Sequence, residues 1–128
     1  MKDFCIIGSG ISGATIANTL CKKYSLDIYD KARGVGGRSS NKKLNKNESF
    51  DHGVQYISPK SIQFKKFIKN LINKKIVKNW PGRHIFLNTD KKADKKHIKI
   101  IGKKGNNAIS KYLLKDINCN FNSEVIKI

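Results

Sequence analysis

The chain has 128 residues, a hydrophobic fraction of 38% and a formal net charge of +18 at pH 7. This length fits one domain and excludes a complete two-domain enzyme, while the composition, once the ten glycines are counted, still allows a packed core. Apolar residues come in short clusters, which excludes a membrane-spanning helix of about 20 apolar residues, and no signal peptide is visible, so we expect a cytoplasmic protein.

The positive charge comes almost entirely from lysine. Of the 27 basic residues only Arg33, Arg38 and Arg83 are arginine, whereas recognition of base edges relies on arginine. The 24 lysines, 13 asparagines and 18 isoleucines make up 55 residues, a bias that adenine- and thymine-rich codons produce without any partner. We expect no specific nucleic acid as partner. A basic nucleic-acid-binding protein remains an alternative, recognisable by a steep salt dependence of DNA affinity.

The cysteines give no sign of a disulfide or a metal site. Cys5, Cys21 and Cys119 form no C-x-x-C pair and are odd in number. This pattern argues against a disulfide framework and against bound zinc. We expect reduced, mostly buried thiols and no metal ligands.

The first 30 residues predict a strand, a helix and a second strand. Residues 2–7 are typical of a short buried strand, and residues 26–30 of another. Between them apolar residues recur at three-residue spacing from Ile11 to Leu20, which predicts a helix. The three elements predict a βαβ unit with parallel strands and a right-handed crossover.

The rest of the chain predicts short alternating elements. Residues 31–49 form a polar loop with room for a short hairpin, and residues 63–76 form an amphipathic basic helix. We expect this helix to pack on its own domain rather than to lie on an anionic membrane. The other predicted elements are a turn at 80–82, a strand at 83–87, a charged loop at 90–96, a strand at 97–101, a helix at 108–113 with Asn106 or Asn107 as its N-cap, and a strand at 124–128.

The turn after the first strand carries a G-x-G-x-x-G motif, formed by Gly8, Gly10 and Gly13. Such glycines allow a tight turn, close approach of a pyrophosphate and close packing of helix on strand, and the helix N-terminus offers free N–H groups to the anion. Asp30 follows Gly8 by 22 residues, where a carboxylate can bind an adenosine ribose. The pattern predicts dinucleotide binding, with a purely structural glycine turn as the alternative.

A second glycine-rich segment follows the ribose carboxylate directly. Gly36 and Gly37 let the backbone cross close to a diphosphate, and the guanidinium of Arg38 neutralises that anion. This arrangement favours a flavin dinucleotide over a nicotinamide dinucleotide. A glycine-rich surface loop with an incidental arginine is the alternative.

Two further segments carry a family resemblance. Residues 50–56 read F-D-H-G-V-Q-Y, and residues 100–113 read I-I-G-K-K-G-N-N-A-I-S-K-Y-L. Here the chain resembles the FAD-dependent amine oxidase superfamily, and within it most closely the renalase-like NAD(P)/FAD-dependent oxidoreductases, whose motifs read F-D-H-G-A-Q-Y and V-G-x-P-G-M-N-A-L-A-K-x-L. Val54 departs from the first motif, and Lys104 and Asn106 replace the proline and methionine of the second.

The resemblance implies an α/β fold with a Rossmann-like, doubly wound FAD-binding domain interrupted by a mixed α+β substrate domain. It divides the chain into an FAD-binding unit over residues 1–58, the start of the substrate domain over 59–104, and a return to the FAD-binding domain over 105–128. Members of the family are more than twice as long. We therefore expect an N-terminal fragment that is inactive by itself.

The resemblance also implies a function. The implied function is that of an FAD-dependent oxidoreductase, in which a small substrate transfers a hydride to FAD and oxygen then accepts the electrons. A reduced nicotinamide isomer is the expected substrate, an amine is the alternative, and a non-catalytic dinucleotide-binding module or partner subunit is the alternative of another class.

No catalytic residue is assigned from the sequence. A positioning role for His52 beside the flavin is favoured over acid–base chemistry, and we expect Tyr56 and Trp80 to be packing aromatics. The expected cofactor-binding residues are Gly8, Gly10, Ile11, Ser12, Gly13, Asp30, Lys31, Arg33, Gly36, Gly37, Arg38, His52, Gly53, Gln55 and Val125.

Overall fold

The computed structural model describes residues 1–81 and 98–127. Within these residues the chain forms seven short strands and three helices. In chain order they are β1 (Phe4–Ile7), α1 (Ile11–Leu20), β2 (Leu26–Tyr29), β3 (Asn41–Lys43), β4 (Ser49–Asp51), α2 (Ile62–Asn73), β5 (Val77–Asn79), β6 (Ile100–Gly102), α3 (Ala108–Leu113) and β7 (Cys119–Asn120), with a 3₁₀ turn at Gly37–Ser39 between β2 and β3.

A three-stranded parallel sheet in the order β1-β2-β7 forms the centre of the fold. β1 and β2 pair in parallel, with Phe4 opposite Leu26, and α1 makes the crossover between them. Ala14 and Ala17 of α1 are completely buried, and their small side chains let the helix pack closely in the core. These features confirm the predicted α/β class and the βαβ unit. The predicted hairpin is also present, since β3 and β4 pair antiparallel.

β1 is exposed, although its sequence predicted a buried strand. The side chains of Phe4 and Ile7 keep 41% and 53% of their accessible surface. Within the described residues β1 has a strand neighbour on one side only, so it is an edge strand whose side chains have few partners. The prediction of burial was wrong because apolar residues specify a strand but do not specify what covers it.

The cysteines are free but not mostly buried. Cys5 and Cys21 are exposed and Cys119 is half-buried. Cys5 lies on the exposed edge strand, and Cys21 lies at the C-terminal end of α1. The prediction of mostly buried thiols was wrong because an edge strand and a helix end leave these two side chains open to solvent.

α2 ends at Asn73, three residues before the predicted end. Lys75 has a φ of 58° and donates its N–H to the carbonyl of Ile72, while Ile76 donates its N–H to the carbonyl of Leu71. This pair of bonds is a Schellman motif, which satisfies the last carbonyls of the helix and ends it.

Leu71 is buried in the core, and with 12 residues α2 is the longest described helix. No described helix is both long and apolar enough to cross a bilayer.

β5 and β6 form an antiparallel pair that the sequence predicted only in part. β6 begins at Ile100, within the predicted strand, but no strand was predicted at residues 77–79. The predicted strand at 83–87, the charged loop at 90–96 and His97 lie outside the described residues. The domain division at residues 58 and 104 stays a prediction.

The end of the described chain forms no strand at residues 124–127, where apolar alternation predicted one. Asn122 has a φ of 52°, and the N–H groups of Asn122 and Ser123 donate to the carbonyls of Ala32 and Asp30. The segment is therefore tied to the loop after β2. The prediction was wrong because alternation makes a strand only where a partner strand is free to pair.

α3 begins at Ala108 as predicted, but its N-terminus is not capped by a side chain. Asn107 occupies the N-cap position without a capping hydrogen bond. The side chain of Asn106 bonds instead to other segments of the chain. Asn107 therefore holds the predicted N-cap position without the capping hydrogen bond, and the other candidate, Asn106, uses its amide in tertiary hydrogen bonds instead.

Candidate functional site

A cavity of about 670 Å³ opens where β1 ends and α1 begins. In open parallel α/β sheets, ligands bind outside the carboxyl ends of the strands, and the volume lies within the usual range for small-molecule sites. Eight of the fifteen predicted cofactor-binding residues line it. The full lining consists of Ile7, Gly8, Gly10, Ile11, Ser12, Gly13, Gly36, Gly37, Arg38, Ser39, Val54, Ile57, Phe64, Asn106 and Ile109.

The three glycines of the first motif are glycine for different physical reasons. Gly8 has a φ of +96°, a conformation that other residues rarely adopt. A Cβ on Gly13 would lie 2.0 Å from the carbonyl oxygen of Gly8, so α1 cannot pack there with a larger residue. Gly10 has an ordinary φ of −66°, and the nearest atom to its Cβ position would be the Cα of Gly37 at 3.8 Å. Neither the backbone nor the neighbouring atoms require glycine at position 10.

The two glycine motifs meet in the structure. Gly10 and Gly36 form an isolated parallel bridge, and the N–H of Gly36 donates to the carbonyl of Ser9 at 3.2 Å. Gly36 and Gly37 both have positive φ, and a Cβ on Gly37 would approach the Cα of Gly10 to 3.2 Å. Folding therefore makes one continuous glycine-rich wall from segments that are separate in the sequence.

Arg38 is the cation of this cavity. It lines the cavity and is exposed, and among the described residues no carboxylate pairs with its guanidinium. The backbone of Arg38 is held by the segment after β4, because its carbonyl accepts the N–H of Val54 at 2.9 Å. A Cβ added to Gly53 would lie only 2.0 Å from the same carbonyl oxygen. Gly53 therefore allows the following segment to pack directly on the arginine loop.

Asp30 stands at the end of β2 with its carboxylate held by the first motif. The carboxylate accepts the N–H and the hydroxyl of Ser9 and the N–H of Ala32, at 2.7, 2.5 and 2.9 Å. Burial raises the pKa of Asp30, but these hydrogen bonds and the charge of Lys31 outweigh it, and the pKa lies below its ordinary value. Asp30 does not line the cavity. Ser9, which is completely buried, was missed as a contributor because nothing in its spacing distinguishes it.

Three other predicted residues, from the loop after β2 and from the end of the described chain, do not line the cavity. Lys31 is exposed and pairs with Glu124 at 3.9 Å, and Arg33 is exposed. Val125 is half-buried. It follows Asn122 and Ser123, whose N–H groups donate to the carbonyls of residues 32 and 30. The ion pair and these two hydrogen bonds join the segment that contains Val125 to the loop that follows β2.

The remaining predicted residues belong to the segment after β4. His52 is exposed and hydrogen-bonds through Nε2 to the hydroxyl of Ser40 at 3.0 Å. Gln55 contributes its backbone carbonyl to a hydrogen bond from Asn106. Neither His52 nor Gln55 lines the cavity, although Val54 between them does.

Asn106 is a structural centre of the site that sequence reasoning missed. It is 1% exposed, its Oδ1 accepts the N–H of Gly102 at 2.9 Å, and its Nδ2 donates to the carbonyls of Val54 and Gln55 at 2.6 and 3.1 Å. Its backbone N–H donates to the carboxylate of Asp51 at 2.8 Å. The only sequence signal was its replacement of an apolar residue in the family motif, because a polar residue at a buried position needs partners.

Tyr56 and Trp80 pack against each other, as expected. Their ring centroids are 5.6 Å apart, and Nζ of Lys99 lies 4.5 Å from the Tyr56 centroid and 5.9 Å from that of Trp80. A cation of the chain itself therefore occupies the neighbourhood of both rings. Neither aromatic residue lines the cavity.

The sequence profile of the NAD(P)-binding Rossmann-like domain family matches residues 6–71, just over half of the chain. The chain belongs to this family. The matched segment contains the end of β1, α1, β2 and both glycine motifs, which supply most of the cavity lining. Membership confirms the predicted Rossmann-like fold.

Three solved structures of putrescine oxidase are similar to part of this chain: a double mutant and a single mutant from a structure-based redesign of cofactor binding, and the wild type bound to putrescine. The sequence identities are 26%, 25% and 25%, and the TM-score is 0.47 in each case. Each match covers 62% of this chain but only 17% of the putrescine oxidase chain.

Proposed function

We propose that this Rossmann-like domain binds FAD and is part of an FAD-dependent oxidoreductase. The observation that carries the proposal is Gly10, which is glycine although neither its φ nor any neighbouring atom requires it. Gly10 lines the cavity beside Gly37 and Arg38. A diphosphate that passes close to the backbone at Gly10 accounts for the missing side chain and for the adjacent guanidinium.

The donors and acceptors around the cavity match the chemistry of a dinucleotide. The first N–H groups of α1 and the guanidinium of Arg38 offer positive charge to a diphosphate. The carboxylate of Asp30, kept ionised by Ser9, would accept the hydroxyls of the adenosine ribose. Ile57, Phe64 and other apolar residues of the lining would contact the apolar parts of the cofactor.

The cofactor would supply the redox chemistry, since a bound flavin accepts a hydride from a substrate and passes its electrons to oxygen. The residues of this chain would bind the cofactor and orient it. Asn106 holds the carbonyls of residues 54 and 55 in place, and we assign this segment, with His52 as a positioning residue, to the flavin end of the site. We assign Lys31 and Val125 to the adenosine end, together with Asp30, because Lys31 follows Asp30 and pairs with Glu124, the neighbour of Val125.

The proposed hydride donor is a reduced nicotinamide isomer, with an amine as the second candidate. Both candidates rest on the resemblance of residues 50–56 and 100–113 to renalase-like and amine oxidase motifs. Residues 59–104 are assigned to the start of the substrate domain. The motifs of both groups bind the same cofactor, so the resemblance supports the two substrate classes alike.

A nicotinamide dinucleotide is the competing ligand, because the family is named for NAD(P) binding. A titration of the chain with FAD, NAD⁺, NADP⁺ and ADP-ribose, followed by tryptophan fluorescence or calorimetry, separates the two. We expect FAD and ADP-ribose to compete for one site and FAD to bind more tightly than either nicotinamide dinucleotide. Tighter binding of NAD⁺ or NADP⁺ would replace FAD as the assigned cofactor, and no binding of any of the four would refute the cofactor assignment.

The chemistry is tested separately, without oxygen, on FAD-reconstituted full-length protein, because we expect the 128-residue chain to be inactive by itself. Reduced nicotinamide isomers, or otherwise amines, should bleach the flavin absorbance, and admission of oxygen should restore it with formation of peroxide. If no compound of either class reduces the flavin, the oxidase assignment is wrong even where FAD binds. In that case a non-catalytic dinucleotide-binding module is the remaining function.

A further inference from the structure

A second cavity lies on a part of the fold that the cofactor site does not use. It has a volume of about 460 Å³ and is bounded by the turn after α2, the loop after β6, and α3. We call it the lysine groove, because five of the residues that line it are exposed lysines. Its lining consists of Lys75, Ile76, Lys103, Lys104, Ala108, Lys111, Tyr112 and Lys115.

Within residues 1–81 and 98–127 the positive charge of the lysine groove has almost no compensation. Among the described residues no carboxylate lines it, and within the same part of the chain Lys115 pairs only with its sequence neighbour Asp116, at 3.7 Å. Lys74 adds a further cation, since its Nζ contacts the hydroxyl of Tyr112 and lies 5.0 Å from the ring centroid. Folding therefore gathers like charges from three separate segments, and a bound anion would relieve their mutual repulsion.

Lys75 is retained in the groove against the preference of the backbone. Its φ of 58° is the left-handed conformation of the residue that follows a helix C-cap, where glycine or asparagine is usual. A lysine in this position is strained by its Cβ. Strain that a glycine would remove, at a position lining a charged groove, indicates a use for the ammonium group.

We propose that the lysine groove binds a ligand with two or more closely spaced phosphate groups, from a free nucleotide or from a single strand of nucleic acid. Lysines act as point charges toward phosphate and do not read base edges, so the binding is independent of base sequence. Ile76, Ala108 and Tyr112 give the groove an apolar floor for the organic part of such a ligand. A lipid bilayer is flat and does not fill a concave groove. An acidic peptide is the alternative ligand that the experiment must distinguish from a phosphate ligand.

The probes are inorganic tripolyphosphate and a short oligo-deoxythymidine, titrated by calorimetry into the 128-residue chain at low and at physiological salt. We expect both to bind, with affinity that falls as salt rises, because exposed charges are screened. The triple substitution Lys103→Gln, Lys104→Gln and Lys111→Gln should lower the affinity about tenfold, since each exposed ion pair contributes up to about fivefold.

A matched control removes the same number of charges elsewhere. Lys65→Gln, Lys66→Gln and Lys69→Gln change exposed lysines of α2 that do not line the groove. This variant should change the affinity by less than about twofold, through the long-range field alone. An equal loss in both triple variants would mean that net charge, not the groove, binds the phosphate, and would overturn the proposal.

Lys75→Gly separates a binding role from a structural one. The substitution should raise the melting temperature by a few degrees, because glycine relieves the left-handed strain, and should weaken tripolyphosphate binding about threefold. A gain in stability with unchanged affinity would show that Lys75 does not contact the ligand and would contradict its part in the groove.

Two comparisons complete the test. Tighter binding of the oligonucleotide than of tripolyphosphate identifies a nucleic-acid strand as the source of the phosphates, and the reverse identifies a free nucleotide; both support the groove. Polyglutamate that binds as tightly as tripolyphosphate, with the same loss in the groove variant, would assign the groove to an acidic peptide. That result, or no binding of either phosphate probe at low salt, would overturn the proposal.

Discussion

The side-chain nitrogen of Asn106 donates a hydrogen bond of 2.6 Å to the carbonyl of Val54, which lies 52 residues earlier in the chain. The same amide group bonds to the carbonyl of Gln55 and to the N–H of Gly102. Val54 and Asn106 both line the main cavity. One buried side chain therefore joins the segment after β4 to the loop before α3 and fixes two walls of the site.

Replacement of this amide should destabilise the fold. Asn106→Leu removes partners from three backbone groups, and we expect the free energy of unfolding to fall by about 2–4 kcal/mol, measured by urea denaturation. Asn70→Ala, at an exposed position of α2, is the control and should change it by less than about 0.5 kcal/mol. An Asn106→Leu variant as stable as the control would show that these hydrogen bonds contribute nothing net.

A series of glycine-to-alanine variants separates folding from ligand binding. Gly13→Ala should fail to fold or melt far lower, because its Cβ would meet the Gly8 carbonyl at 2.0 Å. Gly10→Ala should keep the stability of the parent chain but lose about tenfold in affinity for ADP-ribose, because its methyl group enters the path of the diphosphate. Gly34→Ala has no atom within 4 Å of the new Cβ and should change neither property. Unchanged ADP-ribose affinity in Gly10→Ala would refute the proposed path of the diphosphate.

The two arginines of the second motif should differ in their effect on binding. Arg38 lines the cavity and Arg33 does not. Arg38→Gln should therefore weaken ADP-ribose binding by about tenfold, and more at low than at high salt, because a charge-assisted contact to the diphosphate is lost. Arg33→Gln should cause a smaller loss. Equal losses, measured by calorimetry at two salt concentrations, would mean that general charge and not position determines the effect.

Asp30 should make the free energy of unfolding fall at acid pH. Its pKa is lower in the folded chain than in the unfolded chain, so its ionised form stabilises the fold above the unfolded pKa of about 4, and this contribution is lost as the pH falls through the folded pKa. Asp30→Asn should therefore be less stable at pH 7 and should lose less further stability between about pH 5 and pH 2. Urea midpoints across that range test this, and parallel curves for both proteins would contradict it.

The sequence by itself determined the local elements and the chemistry of the turns. The spacing of Ile11, Ala14, Ala17 and Leu20 predicted α1, and the glycine spacing predicted the turn in which Gly8 takes its positive φ. These features depend on residues a few positions apart, which the sequence displays directly. The βαβ unit and eight of the cavity residues followed from them, and the Rossmann-like fold was implied by the family resemblance.

Tertiary structure alone decided which segments meet. The contact of Gly10 with the second glycine motif, the partners of Asn106, the exposure of β1 and the absence of a strand at residues 124–127 all depend on chain segments far apart in sequence. Periodicity shows which face of an element is apolar but not what covers it, and a buried amide can bond to any free carbonyl within reach. The choice among such partners is made only when the whole chain packs.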